Sequence, residues 1–139
     1  AICALLIRFG LSADLGFTPE DRTENIRRIG EVAKLFADAG VLVITAFISP
    51  YRNDRNRVRA IAPDLFHEVF IKADLSTCET RDPKGLYARA RNGEITDFTG
   101  VSAPYEEPTD ANLIVDTDEQ NVDQSVLRVI DYIALNFKS

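Results

Sequence analysis

The chain has 139 residues, 45% of them hydrophobic and 27% charged, a balance ordinary for one soluble globular domain. Sixteen Lys and Arg against 22 Asp and Glu leave a formal charge of −6, which argues against nucleic acid as a partner, because a phosphate backbone calls for a basic surface. No apolar run approaches the ~20 residues of a membrane-spanning helix, no basic-then-apolar leader opens the chain, and the two cysteines, Cys3 and Cys78, make no metal pattern and are expected to be reduced, as in a cytoplasmic protein.

Residues 11–17 are short and turn-like. A helix is predicted to begin at Thr18-Pro19-Glu20-Asp21. The threonine hydroxyl can accept a free N–H of the first turn, proline suits the first helical position, and acids belong in that turn. Apolar Ile26, Ile29, Val32, Ala33, Leu35 and Phe36 recur at roughly helical spacing, and Gly40 supplies the stop. Residues 41–48 are almost continuously apolar without alternation, which predicts a strand buried on both faces. Ser49-Pro50-Tyr51 ends it. An arginine-rich helix then spans about residues 54–61, a strand 66–71, a short helix 75–81 and a strand 113–116. The closing helix, 121–136, is amphipathic, with Val122, Val126, Val129, Ile130 and Ile133 on one face. This order implies a single α/β domain with a parallel sheet and crossover helices. Ligands of such sheets bind beyond the carboxyl ends of the strands, here near Ser49-Pro50-Tyr51, Ala73-Asp74 and Thr117.

Lys84-Gly-Leu-Tyr87 and Phe98-Thr-Gly100 read as a lid, a basic, glycine-punctuated segment that closes over an anion. Lys84, Arg81, Arg89 and Arg91 cluster there, as a phosphate clamp or as a solvated helix face. Arg22 and Asn25 lie three apart and share a face of the first long helix. With Arg8 they could grip a phosphate or sulfate through fork-shaped donors, or they could be a solvated face paired to Asp21 or Glu24. Ser49 is a hydroxyl at a strand end, a substrate contact or a plain turn residue. Phe17 and Phe98 are loop aromatics that either stack on a base or plug the core. His67 has no obvious carboxylate partner and is read as structural.

Several stretches agree in order and spacing with one family. They are Ile7-Arg-Phe-Gly-Leu11, Asp14-Leu-Gly-Phe17, Glu20-Asp-Arg-Thr-Glu-Asn-Ile-Arg-Arg-Ile29, Phe47-Ile-Ser-Pro-Tyr-Arg52, Arg81-Asp-Pro-Lys-Gly-Leu-Tyr87 and Phe98-Thr-Gly-Val-Ser-Ala-Pro-Tyr-Glu106. From about residue 7 onwards the chain resembles adenylylsulfate kinase (APS kinase). That family phosphorylates the 3′-hydroxyl of adenosine 5′-phosphosulfate (APS) to give PAPS in sulfate assimilation, with ATP and Mg²⁺. The resemblance implies a P-loop nucleoside-kinase-like fold, a parallel sheet with helices on both faces. It implies substrate contacts at Arg8, Phe17, Arg22, Asn25, Ile48, Ser49, Lys84 and Phe98, with Phe17 and Phe98 sandwiching the adenine and Arg81 near ATP. Ser49 matches the serine described in this family as carrying a phosphoryl group. A serine without a base beside it is a poor nucleophile, so positioning is the simpler role.

The family's Gly-x-x-x-x-Gly-Lys-Ser/Thr loop is not in the chain, which has no Gly-Lys pair, and its Asp-Gly-Asp-Asn run would fall on Cys3-Ala-Leu-Leu6. No metal ligand is therefore assigned. Residues 1–6 resemble instead the helix that follows that loop. Either the chain is a degenerate, non-catalytic domain that binds APS or PAPS, or a segment is missing between Leu6 and Ile7 and another before Ala1. The second is the expectation, with a break in the chain at Leu6–Ile7. The resemblance also implies a homodimer and a possible fusion to, or association with, ATP sulfurylase.

Overall fold

A computed structural model describes residues 2–3, as backbone, and residues 7–137. Leu6 lies outside the described residues, and so does the expected break at Leu6–Ile7. By contacts the chain forms two units. One holds residues up to 66 together with 104–107, and the other holds 67–103 and the residues from 108 onwards.

The first unit contains β1 (Ile2–Cys3), α1 (Pro19–Asp38), β2 (Thr45–Ala46) and α2 (Arg52–Ile61). The start of α1 follows from its sequence. Thr18 Oγ1 accepts the Asp21 N–H at 3.2 Å, and Pro19, Glu20 and Asp21 fill the first turn. At the other end Gly40 turns the chain with φ +79°, in the left-handed region that only glycine enters freely, and the Val41 N–H returns to the Phe36 carbonyl at 3.0 Å. Ile26, Ile29 and Gly30 are the buried face of α1 towards α2. A Cβ built on Gly30 would stand 2.9 Å from Val58 Cγ2, so the two helices approach through the missing side chain. Thr23 Oγ1 donates to the buried Asp54 at 2.9 Å across the same contact.

Two expectations are corrected in this unit. Only Thr45–Ala46 of residues 41–48 is strand, pairing in parallel with Ile2–Cys3, and Val41, Leu42 and Ile44 are exposed rather than buried on both faces. A strand is doubly buried only when helices cover both faces and neighbours fill both edges. Among the described residues β2 has one partner, two residues long. Ile2–Cys3 is itself strand, where the resemblance implied helix.

The second unit contains β3 (Val69–Lys72), α3 (Leu75–Thr80), α4 (Leu86–Arg91), β4 (Leu113–Asp116) and α5 (Val122–Asn136). Strands β3 and β4 pair in parallel from Val69↔Leu113 to Lys72↔Asp116, with Phe70 and Val115 buried. The last register pair is tied by Lys72 Nζ to Asp116 at 2.7 Å, which holds the Asp116 carboxyl below its ordinary value. Helix α5 begins where predicted, at a capping box in which Asn121 Oδ1 accepts the Gln124 N–H and Gln124 Oε1 accepts the Asn121 N–H. Its predicted apolar face is only partly covered: Val129 and Ile133 are half-buried, while Val122, Val126 and Ile130 are exposed. Helix α4 lies inside the predicted lid, where the sequence suggested a helix face only as one of two readings of the basic residues and set no bounds to it. The class is α/β with parallel strands, as expected.

Candidate functional site

In the first unit, residues 7–17 fold as tight turns. The N–H groups of Gly10 and Ser12 return to the Ile7 carbonyl at 3.2 and 3.0 Å. Arg28 of α1 fastens these turns from outside. Its guanidinium takes both oxygens of Asp14 (2.6 and 2.8 Å), the Leu11 carbonyl (2.9 Å) and Glu24 Oε1 (2.8 Å). The Asp14 carboxyl is accordingly held below its ordinary value by Arg28. Glu24, which accepts hydrogen bonds from Arg27 and Arg28, is pulled down to about 2.

At the end of these turns Arg8 and Arg22 converge on Phe17. The Arg8 guanidinium lies 4.3 Å over the Phe17 ring and donates from Nη1 to the Leu15 and Gly16 carbonyls at 3.1 and 2.5 Å. Arg22 Nε donates to the Phe17 carbonyl at 2.9 Å. Phe17 itself is 66% exposed, so it does not plug the core. One turn further along α1 from Arg22, Asn25 is buried and its Oδ1 meets no donor among the described residues, and the fully buried Ser12 Oγ is likewise unpartnered among them. Unpaired buried acceptors cost about 1–3 kcal/mol each, so such atoms mark places where a ligand would be welcome.

Ile48 and Ser49 lie at the end of the β2 run. Ile48 is exposed, and Ser49 takes φ +43° directly before Pro50. Left-handed backbone in a non-glycine residue is strained and needs surroundings that impose it. Here the buried Arg55 supplies them: Nη1 donates to the Ser49 carbonyl at 2.7 Å and Nη2 to the Glu106 carbonyl at 2.6 Å. An open groove of about 530 Å³ between the starts of α1 and α2, lined by Thr23, Arg27, Asp54 and Arg57 among others, includes none of the expected substrate residues.

The basic cluster of the second unit resolves into separate roles. Arg89 pairs with Glu94 at 3.1 Å and Arg91 with Glu79 at 2.5 Å. Arg81 grips Thr117 at the carboxyl end of β4, through Oγ1 at 3.1 Å and the carbonyl at 2.7 Å, and borders a shallow hollow with Ser76, Thr77 and Thr80. Lys84 alone of the four has no hydrogen bond or ion pair among the described residues. Phe98 is half-buried, edge-on to Tyr87 with centroids 4.9 Å apart, in a tight turn where its N–H meets Ser102 Oγ at 2.9 Å. Burial and the neighbouring Cys78 push the Tyr87 phenol up to about 12, so it stays neutral. His67 is structural as read, its Nδ1 2.6 Å from the Tyr132 hydroxyl and its ring 4.5 Å from that of Phe137.

Sequence reasoning passed over Asp82, Tyr87 and Arg55 as individual residues. Asp82 could have been found, as an acid just ahead of a helix start. Nothing in the sequence sets Arg55 apart from Arg52, Arg57 and Arg59 on the same helix.

The family model for adenylylsulphate kinase matches residues 5–116. The chain belongs to the adenylylsulphate kinase family. It is 56% identical over 128 residues to the adenylyl-sulfate kinase of Oceanobacillus iheyensis, covering 91% of this chain and 64% of that protein. To the adenylyl-sulfate kinase of Lactiplantibacillus plantarum it is 60% identical over 129 residues, covering 92% of this chain and 62% of that protein. Its fold matches the Mycobacterium tuberculosis APS kinase CysC, solved in complex with AMPPNP and APS, at a TM-score of 0.89 and 45% identity, over 96% of this chain and 78% of that one. The α/β, P-loop-kinase-like fold implied by the sequence is therefore the fold of this family. The chain spans somewhat less than two thirds of the length of these curated relatives. No helix of the described residues is long and apolar enough to cross a membrane.

Proposed function

We propose that the protein bearing this chain is an adenylylsulfate kinase, moving the γ-phosphoryl of ATP to the 3′-hydroxyl of APS to give PAPS and ADP. Supporting this reading are the family membership and relatives of 56–60% identity that carry that name. The observation that carries it is local: Arg8 and Arg22 bind the loop around an exposed Phe17, and one helical turn beyond Arg22 a buried Asn25 oxygen lacks a donor among the described residues.

Arg8 and Arg22 meet the phosphosulfate oxygens with charge-assisted hydrogen bonds. Phe17 and Phe98 each offer an aromatic face to adenine. Asn25, Ile48 and Ser49 complete the APS contacts, Lys84 reaches APS from its loop, and Arg81 serves ATP. The 3′-oxygen attacks the γ-phosphorus, the bond to the β–γ bridging oxygen breaks, ADP leaves, and the hydroxyl proton passes to water. These residues act by alignment and charge neutralisation, with Ser49 positioning the acceptor rather than carrying the phosphoryl. Mg²⁺, when bound, neutralises phosphate charge. Among the described residues no group of three His, Cys, Asp or Glu side chains could hold it.

One observation favours a second reading, a non-catalytic domain that binds APS or PAPS: the chain has no Gly-Lys pair. A phosphate loop in the protein outside these 139 residues reconciles that observation with catalysis. Intact mass of the purified protein, followed by an ATP-dependent 3′-phosphorylation assay, decides between them. The expected result is a mass several kDa above the 15.5 kDa of these residues, with PAPS formed. A mass of 15.5 kDa with APS binding and no PAPS would establish the regulatory reading. Absence of both APS binding and PAPS would sink both. The resemblance adds a homodimer and a possible fusion to, or association with, ATP sulfurylase, and the cysteines favour a cytoplasmic setting.

A further inference from the structure

We propose that Asp82 is the positioning residue for Lys84 and for the Tyr87–Phe98 pair, a role that rests on the reading of Lys84 and Phe98 as substrate contacts. The Asp82 carboxylate accepts the N–H groups of Leu86 (2.8 Å), Tyr87 (2.8 Å) and Ala88 (3.3 Å), and its carbonyl accepts the Gly85 N–H at 3.2 Å. Four hydrogen bonds thus close on one residue across Pro83, Lys84 and Gly85.

Helix α4 needs this help. It has six residues, too few to persist alone, and the N–H groups of its first turn have no partners within the helix. Its N-cap is Gly85, with φ +64°, which has no side chain to supply an acceptor. Asp82, three residues earlier, does the capping in its place. Lys84 then sits exposed at the crest of a loop fixed at both ends, with no partner among the described residues to draw it aside. Tyr87, whose N–H the same carboxylate holds, sets its ring against Phe98 at an interplanar angle of 76°. One carboxylate therefore stands behind two side chains that reach substrate, without reaching substrate itself.

A cap that served stability alone would lower the melting temperature and leave the Michaelis constants where they were. The test measures kcat, KM for APS, KM for ATP and Tm in the full chain for D82A, D82N, K84A and D82A/K84A, with amide hydrogen exchange at Leu86, Tyr87 and Ala88. D82A is expected to raise KM for APS about tenfold, the scale of one lost charge-assisted contact. KM for ATP should stay within about twofold, and D82A/K84A should be no worse than K84A within about twofold. D82N keeps one acceptor oxygen and should fall between wild type and D82A, with faster exchange at the three amides. It also answers the question if D82A does not fold. An unchanged KM for APS in D82A or D82N beside a raised one in K84A overturns the role of Asp82 alone. Full additivity of D82A and K84A overturns it too. An unchanged KM for APS in K84A removes the substrate reading, and this role with it.

Discussion

Ser49 is a residue whose backbone works against its own preference. The left-handed region costs a non-glycine residue about 1–2 kcal/mol, and the residue before a proline is steered towards extended backbone. Its φ of +43° persists because the buried Arg55 holds its carbonyl. Replacing Ser49 with Gly removes that strain, while glycine elsewhere costs about 0.5–1 kcal/mol through the freedom it adds to the unfolded chain. S49G should therefore match or exceed wild type in denaturant unfolding, and both S49G and S49A should lose activity if the hydroxyl meets substrate. R55M should lose about 2 kcal/mol or more, since two acceptors lose a buried charged donor. Glu24 makes a different prediction. Hydrogen bonds from Arg27 and then Arg28 place its folded pKa at about 2, below the ordinary 4.5 of a glutamate. The folded state binds fewer protons in that window, so the stabilisation is complete above pH 4.5 and is lost as pH falls towards about 2. E24Q should flatten the fall of Tm across that range. At pH 7, where that stabilisation is fully present, E24Q should lower Tm only modestly, because the group lies at the surface and solvent screens its ion pairs.

At the scale of elements, what the sequence made legible was local. Thr18 with Pro19 marks a helix start because a cap is a bond between residues two or three apart, and the closing helix is marked by its apolar spacing. The start of helix α4 escaped because its cap lies outside it, at Asp82, across a glycine that reads as a break. The β2 run misled because burial of a strand is decided by distant neighbours, not by its own composition. The site divides the same way. Arg8, Phe17 and Arg22 were singled out by residue type and spacing and are gathered by short turns, whereas nothing in the sequence marks Arg55, among the arginines of its helix, as the support of Ser49. The α1–α2 contact carries a prediction of its own. A Cβ at Gly30 would meet Val58 Cγ2 at 2.9 Å and Cγ1 at 3.0 Å. G30A should destabilise by about 1–3 kcal/mol through overpacking, despite alanine's better helix propensity. Trimming the neighbour in G30A/V58A should recover part of that loss in the same denaturation experiment, and no recovery would refute the close-approach explanation.

For the whole molecule, alternation of helix and strand was enough to give an α/β class with parallel pairing. The division into two units was not legible, because it is not sequential: residues 104–107 return to the first unit after the second has begun. That return is short but heavily bonded. Glu106 accepts the Arg52 N–H through Oε2 at 2.6 Å and the Arg55 guanidinium through its carbonyl, and its own N–H reaches the Pro50 carbonyl at 2.9 Å. Arg52 adds a bond to the Glu107 carbonyl at 2.7 Å. A chain leaves the ribosome from its N-terminus at about 5–20 residues per second, and a domain closes only once its parts are out. The acceptors for Arg55 and Arg52 arrive 51 and 54 residues after the arginines that need them. The first unit is thus begun first and finished late: during synthesis Arg55 meets the Ser49 carbonyl at once, but its second acceptor, on Glu106, arrives only after residues 67–103 of the second unit have been made.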